Sequence, residues 1–187
     1  MAEIEGLVRA LREGDDEEKD AAADRLGDLA HYDAANRVLI VEAGAIPPLV
    51  ELLRDGSADA KADAAWALRS LALNAANRVL IAEAGGIAPL VELLRDGDIY
   101  AKHWAADALR SLAYNNDANA VAIAVAVGFD AVVDLARGGQ VHVDDGGWGR
   151  HASRAAKRKA ARILLRKCLP RAIIPDVIAA ATATFLV

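Results

Sequence analysis

The sequence predicts an all-α fold, a right-handed superhelix (an alpha-alpha solenoid) of about four stacked three-helix units. Three observations carry this. Two consecutive 41-residue stretches are identical at 29 positions. The same helix starts and stops recur inside each stretch. The chain is also 55% hydrophobic but only 4% aromatic, so its core draws on Ala and Leu, which favour closely packed helices. No β-branched run alternates with polar residues, which argues against a sheet.

Residues 36–76 read NRVLIVEAGAIPPLVELLRDGSADAKADAAWALRSLALNAA, and residues 77–117 read NRVLIAEAGGIAPLVELLRDGDIYAKHWAADALRSLAYNND. The stretch 4–35 repeats the later part of this unit, and 119–139 repeats its beginning. The segment LLRKCL at 164–169 aligns with ALRSLA at 67–72 if about fourteen residues are inserted after Gly139. The chain therefore divides as one domain, 1–187. It holds a partial first repeat (1–35), a second (36–76), a third (77–118), a fourth with an inserted loop (119–169) and a C-terminal capping helix (170–187).

Within each unit the elements follow in order. Asn36, Asn77 and Asn119 precede apolar runs and suit N-caps, because a side-chain oxygen there accepts an orphan backbone N–H. Gly44, Gly85, Gly86 and Gly128 end a short first helix, where a left-handed residue is needed. Pro47, Pro48 and Pro89 stand near the start of the second helix, where a missing N–H costs little. Gly56, Gly97 and Gly139 end that helix. The third helix is the longest, about 58–74 and 99–115.

The phrase NRVLIAEAGGIAPLVELLRDG, with AAWALRSLA in the third helix, resembles the armadillo repeat in length and in its short–medium–long helix order. The resemblance covers almost the whole chain, with 138–155 the main departure. It implies that the third helices line a concave groove binding an extended peptide or partner segment, and hence a non-catalytic interaction scaffold. The phrase is also similar to repeats of plant U-box ubiquitin ligases, where such repeats select substrates. The chain shows no U-box ahead of its repeats.

At 100° per residue, Ala64, Ala67, Leu68, Leu71 and Ala72 share one face of the third helix and should be core. The opposite face holds Asp59, Ala62, Asp63, Trp66, Arg69, Ser70 and Leu73, with Tyr100, His103, Trp104, Asp107, Arg110, Ser111 and Tyr114 as counterparts in the next unit. Of the twelve positions at which the two units differ, six lie in the third helix, and five of those six lie on this opposite face. Packing is thus repeated while the expected groove is varied. Trp66 lies opposite the core, where a solvent face offers it nothing to pack on, so it is expected to anchor a partner. Trp66, Tyr100 and Trp104 should cluster. The alternative is that these rings pack on one another and only stiffen the array. The binding strip is completed by Asp24 and Asp28 of the first repeat.

Importin alpha-like armadillo grooves carry a Trp followed four residues later by an Asn that clamps the ligand backbone. Here Ser70 follows Trp66 at that spacing, which argues against a nuclear-import-type adaptor. Asn74 and Asn115, one turn further, are candidate clamping amides or helix-end residues.

The net charge of −5 conceals a split. Residues 1–149 hold 13 Lys/Arg against 26 Asp/Glu, and residues 150–187 hold 9 Lys/Arg against Asp176 alone. A partner with basic residues directed to the acidic N-terminal repeats is therefore expected. Glu17, Glu18, Asp20, Asp24 and Asp28 form either that acidic pocket or a solvated end cap. The basic patch of Lys157, Arg158, Lys159, Arg162 and Arg166 has three readings: a solvated helix face, a contact for anionic membrane or nucleic acid, or an attachment point for another copy's acidic end.

No nucleotide loop, nucleophile elbow or HExxH motif occurs, so neither enzyme nor cofactor is expected. His142, Asp144, Asp145 and His151 match no zinc spacing. The lone Cys168 excludes a disulfide framework and is expected in the core. With no basic, apolar leader at the N-terminus, the expected location is intracellular, in cytoplasm or nucleus.

Overall fold

The computed structural model describes residues 1–127, and among these every regular element is an α-helix. In order they are α1 (Ala2–Glu13), α2 (Asp16–Tyr32), α3 (Ala34–Glu42), α4 (Ile46–Asp55), α5 (Ala58–Leu71), α6 (Ala75–Glu83), α7 (Ile87–Asp96), α8 (Ile99–Ala113) and α9 (Asp117–Val127). The fourth repeat's later helices, the insertion, Cys168, the basic patch and the capping helix lie outside the described residues.

The helices sort into three classes. Short first helices are α3, α6 and α9. Second helices are α1, α4 and α7, and third helices are α2, α5 and α8. The third helices pack side by side in the order α2, α5, α8, and each also packs on its own second helix. The expected core holds. Ala64, Ala67, Leu68, Leu71 and Ala72 are all buried, together with Leu49 and Leu90 from the second helices and Ile40 and Ile81 from the first.

Each third helix starts with a side-chain cap. Asp15 and Glu18 form a reciprocal capping box, Ser57 accepts from the Ala60 N–H, and Asp98 accepts from the Ala101 N–H. The short helices α3 and α6 close at Gly44 and Gly85, whose φ values of 80° and 78° are left-handed. The N–H groups of Ala45 and Gly86 reach back to the Ile40 and Ile81 carbonyls, completing the turn that a left-handed residue permits.

The capping expectation for Asn36, Asn77 and Asn119 is corrected. The caps are Asp33 and Asn74, three residues earlier, whose side chains accept from the Ala35 and Ala76 N–H groups at 2.8 and 2.9 Å. The asparagines sit inside the helices and use their amide donors instead. Asn77 Nδ2 donates to the Leu71 carbonyl at 3.1 Å and to Arg37 of the preceding repeat at 3.4 Å. Asn119 repeats this to Leu112 and Arg78, at 3.1 and 2.9 Å, and Asn36 donates to Leu29. The end of each third helix leaves carbonyls without intrahelical partners; all three amides donate to such carbonyls, and the buried Asn77 and Asn119 also join neighbouring short helices.

Arginines reinforce the same seams. Arg37 and Arg78 donate through Nε to the Ala30 and Ala72 carbonyls. Arg12 donates to the Ala43 and Gly44 carbonyls, and Arg95 to that of Ala126.

Candidate functional site

The surface of interest is formed by α2, α5 and α8. Because each third helix is flanked by its neighbours, the face opposite the core is divided into lateral contact zones and a narrow exposed strip. Ala62 and Ser70 fall in the contact zones and are buried. Ser70 is fully buried, and its Oγ has no hydrogen-bond partner among the described residues. The structure therefore removes Ser70 from the accessible strip.

Trp66 is half-buried, and the premise that nothing awaits it is also corrected. Gly27, inside α2, provides a slot: a β-carbon placed there would collide with Trp66 Cδ1. The indole then forms the floor of this face, with ring centroids 4.9 Å from His31 and 4.5 Å from Trp104. Trp66 and Trp104 thus meet across adjacent third helices. Tyr100, 73% exposed, makes no ring contact with either and stands apart on α8. His103 is exposed and meets the edge of Trp104.

Polar groups surround this floor. The Arg69 guanidinium lies 5.4 Å from the Trp66 ring centroid, and its Nη1 is 3.1 Å from His31 Nδ1. Its Nε lies 3.7 Å from Asp107 Oδ2. Arg110 holds the same carboxylate at 3.2 Å. Ser111 is half-buried beside it on α8.

Along α2 and the N-terminal turns of α5 the surface becomes acidic. Asp20, Asp24, Asp28, Asp59 and Asp63 gather here, and none forms a salt bridge among the described residues. Asp63 is pushed up to about 7, first by burial, then by its hydrogen bond with Asp20 and repulsion from Asp20, Asp24 and Asp59. That contact requires a proton shared between two carboxyls. Asp24 is raised by burial and by Asp28 and Asp20, with Arg25 opposing. One Asp20 oxygen remains buried and unpartnered.

Gly27 and His31 are the site residues that sequence reasoning missed. A glycine within an otherwise strong helix is a signal of close approach, and it was there to be read. His31 carries no such signal, since its counterparts Leu73 and Tyr114 differ in kind. Asn74 caps α6, while Asn115 adopts a left-handed turn (φ 49°) after α8.

Nested three-helix repeats with a shared third-helix face define a helical solenoid repeat protein. Residues 33–73 and 74–114 each match the Armadillo/beta-catenin-like repeat, and the fold is an armadillo solenoid. Among similar chains is U-box domain-containing protein 12 of Oryza sativa subsp. japonica, 39% identical over 72 residues, covering 38% of this chain and 12% of that protein. U-box domain-containing protein 14 of Arabidopsis thaliana is 43% identical over 68 residues, covering 36% and 11% respectively. The match therefore spans only about an eighth of these relatives' length.

Among solved structures, an engineered protein superposes with a TM-score of 0.70 at 28% identity, covering 88% of this chain and 67% of that one. A computationally designed armadillo repeat protein for modular peptide recognition gives 0.65 at 25% identity, covering 88% and 63%.

Proposed function

We propose that this chain is a non-catalytic interaction scaffold that holds an extended partner segment along α2, α5 and α8. The observation that carries this is the set of five carboxyl groups, none in a salt bridge among the described residues, beside a half-buried tryptophan pair. Carboxylates crowded in this way repel one another, and a Lys or Arg from a partner would relieve that repulsion. The partner segment is therefore expected to place cationic side chains between α2 and α5. The strip it contacts comprises Asp24, Asp28 and Asp63 at the acidic end, with Trp66, Trp104, Tyr100 and His103 beyond. Asp107, Arg110 and Ser111 border it. The similarity to a designed armadillo protein made for peptide recognition supports this reading.

The test is an unbiased capture of partners by the full chain, compared with a Trp66→Ala/Trp104→Ala variant. Affinity for a mapped partner should fall by about 2 kcal/mol, with helicity nearly retained by far-ultraviolet circular dichroism. Unchanged affinity would remove the third-helix face from the binding site.

The U-box relatives favour one more specific reading, that the segment held is a ubiquitin-ligase substrate. Joining this chain to an active U-box should then promote modification of the captured partner, and a Trp66→Ala/Trp104→Ala fusion should not.

A further inference from the structure

We infer that Arg69 is a built-in occupant of the groove centre, which makes that point select against a cationic side chain while the acidic end accepts one. The inference rests on the groove reading above and assigns a specificity role within it. Arg69 does what a bound arginine would do. Its side chain is only 17% exposed, and its guanidinium lies over the Trp66 ring. It approaches the Asp107 carboxylate and donates toward His31 Nδ1. Arg has no acceptor, so His31 must accept here and carry its proton on Nε2.

Asp107 is thus faced by two cations, Arg69 and Arg110. An incoming Lys or Arg would find the indole face taken and the carboxylate already compensated. The hold is incomplete, since Arg69 Nε is buried without a hydrogen-bond acceptor. An uncharged or acceptor-bearing group therefore fits this point better than a third cation. The corresponding position in the first repeat is Gly27, so that position sends no guanidinium over the acidic end. Selection by charge thus changes sign along the groove, from cation-accepting near Asp63 to cation-excluding at Trp66.

The test titrates the full chain with two octapeptides, one of alternating Lys and Arg and one neutral, of Ser and Gln, at low salt. Arg69→Gln should bind the basic peptide about tenfold more tightly, with the neutral peptide unaffected. Arg54→Gln makes the same charge change in a cleft between α4, α5, α7 and α8, and should shift affinity by no more than about twofold. Arg69→Lys keeps the charge and should keep the wild-type affinity. Equal gains from Arg69→Gln and Arg54→Gln would overturn the inference, as would a gain shared by Arg69→Lys, which would assign the effect to packing. An Asp24→Asn/Asp63→Asn variant separates the two levels. If it loses the basic peptide while Arg69→Gln gains nothing, the groove stands and the Arg69 inference falls. If no variant alters binding of the basic peptide, both fall.

Discussion

Asp63 shows how one residue's surroundings determine its chemistry. Its pKa of about 7 lies above the ordinary carboxylate value of 3.8, so the folded state holds a proton that the unfolded chain has released. The stability this contributes is fully present below about 3.8 and is lost as pH rises through about 7. Asp63→Asn should therefore stabilise the fold by about 1 kcal/mol at pH 8 and have little effect at pH 4, measured by urea denaturation at both pH values. An equal gain at both would contradict the shared-proton arrangement. A cationic ligand beside Asp63 should also displace that proton, so basic-peptide affinity should rise between about pH 5 and pH 8.

Gly27 acts at the same scale. Ala is ordinarily the better helix former by about 1 kcal/mol, yet a β-carbon at this point would collide with the indole. Gly27→Ala should destabilise the fold by about 1–3 kcal/mol and change the near-ultraviolet circular dichroism of the Trp66–Trp104 pair. Stabilisation with an unchanged spectrum would show that the slot is not occupied as described.

At the scale of elements, the buried asparagines are the seams between units. Asn77 joins the end of α5 to α3 through two carbonyls. Asn77→Ala would remove two hydrogen bonds made by a buried amide, and should cost about 1–3 kcal/mol by chemical denaturation. Asn74→Ala removes only an exposed cap at the start of α6 and should cost about 1 kcal/mol. The reverse order would restore the cap assignment to Asn77. These residues also show where sequence reading loses resolution. Asn74 and Asn77 both stand near a helix start, and both are good capping types. Only the carbonyls waiting at the end of α5 distinguish the acceptor role from the donor role.

At the scale of the molecule, the main helix contacts among the described residues lie within a repeat or between adjacent repeats, so stability is shared between adjacent units. α5 packs on both α2 and α8, and Leu68 is buried within it. Leu68→Ala should cost about 2–5 kcal/mol and reduce hydrogen-exchange protection in α2 and α8 together. Loss confined to α5 would show that the three helices open independently.

The sequence by itself determined the repeat, the helix order, the glycine-closed turns and the Ala/Leu core. These depend on spacing along the chain, and spacing is read directly. It also marked the acidic end and the tryptophans, because composition and helical angle are local properties. Tertiary structure decided what the angle alone could not. A helix wheel divides a helix into core and non-core, but a third helix in a solenoid has neighbours on both sides as well. Ser70 was therefore buried, Trp66 was seated against Gly27, and Arg69 came to lie over the ring, while Tyr100 remained outside. Each of these outcomes depends on which residue the adjacent helix places opposite, a relation between units some 40 residues apart that no single repeat contains.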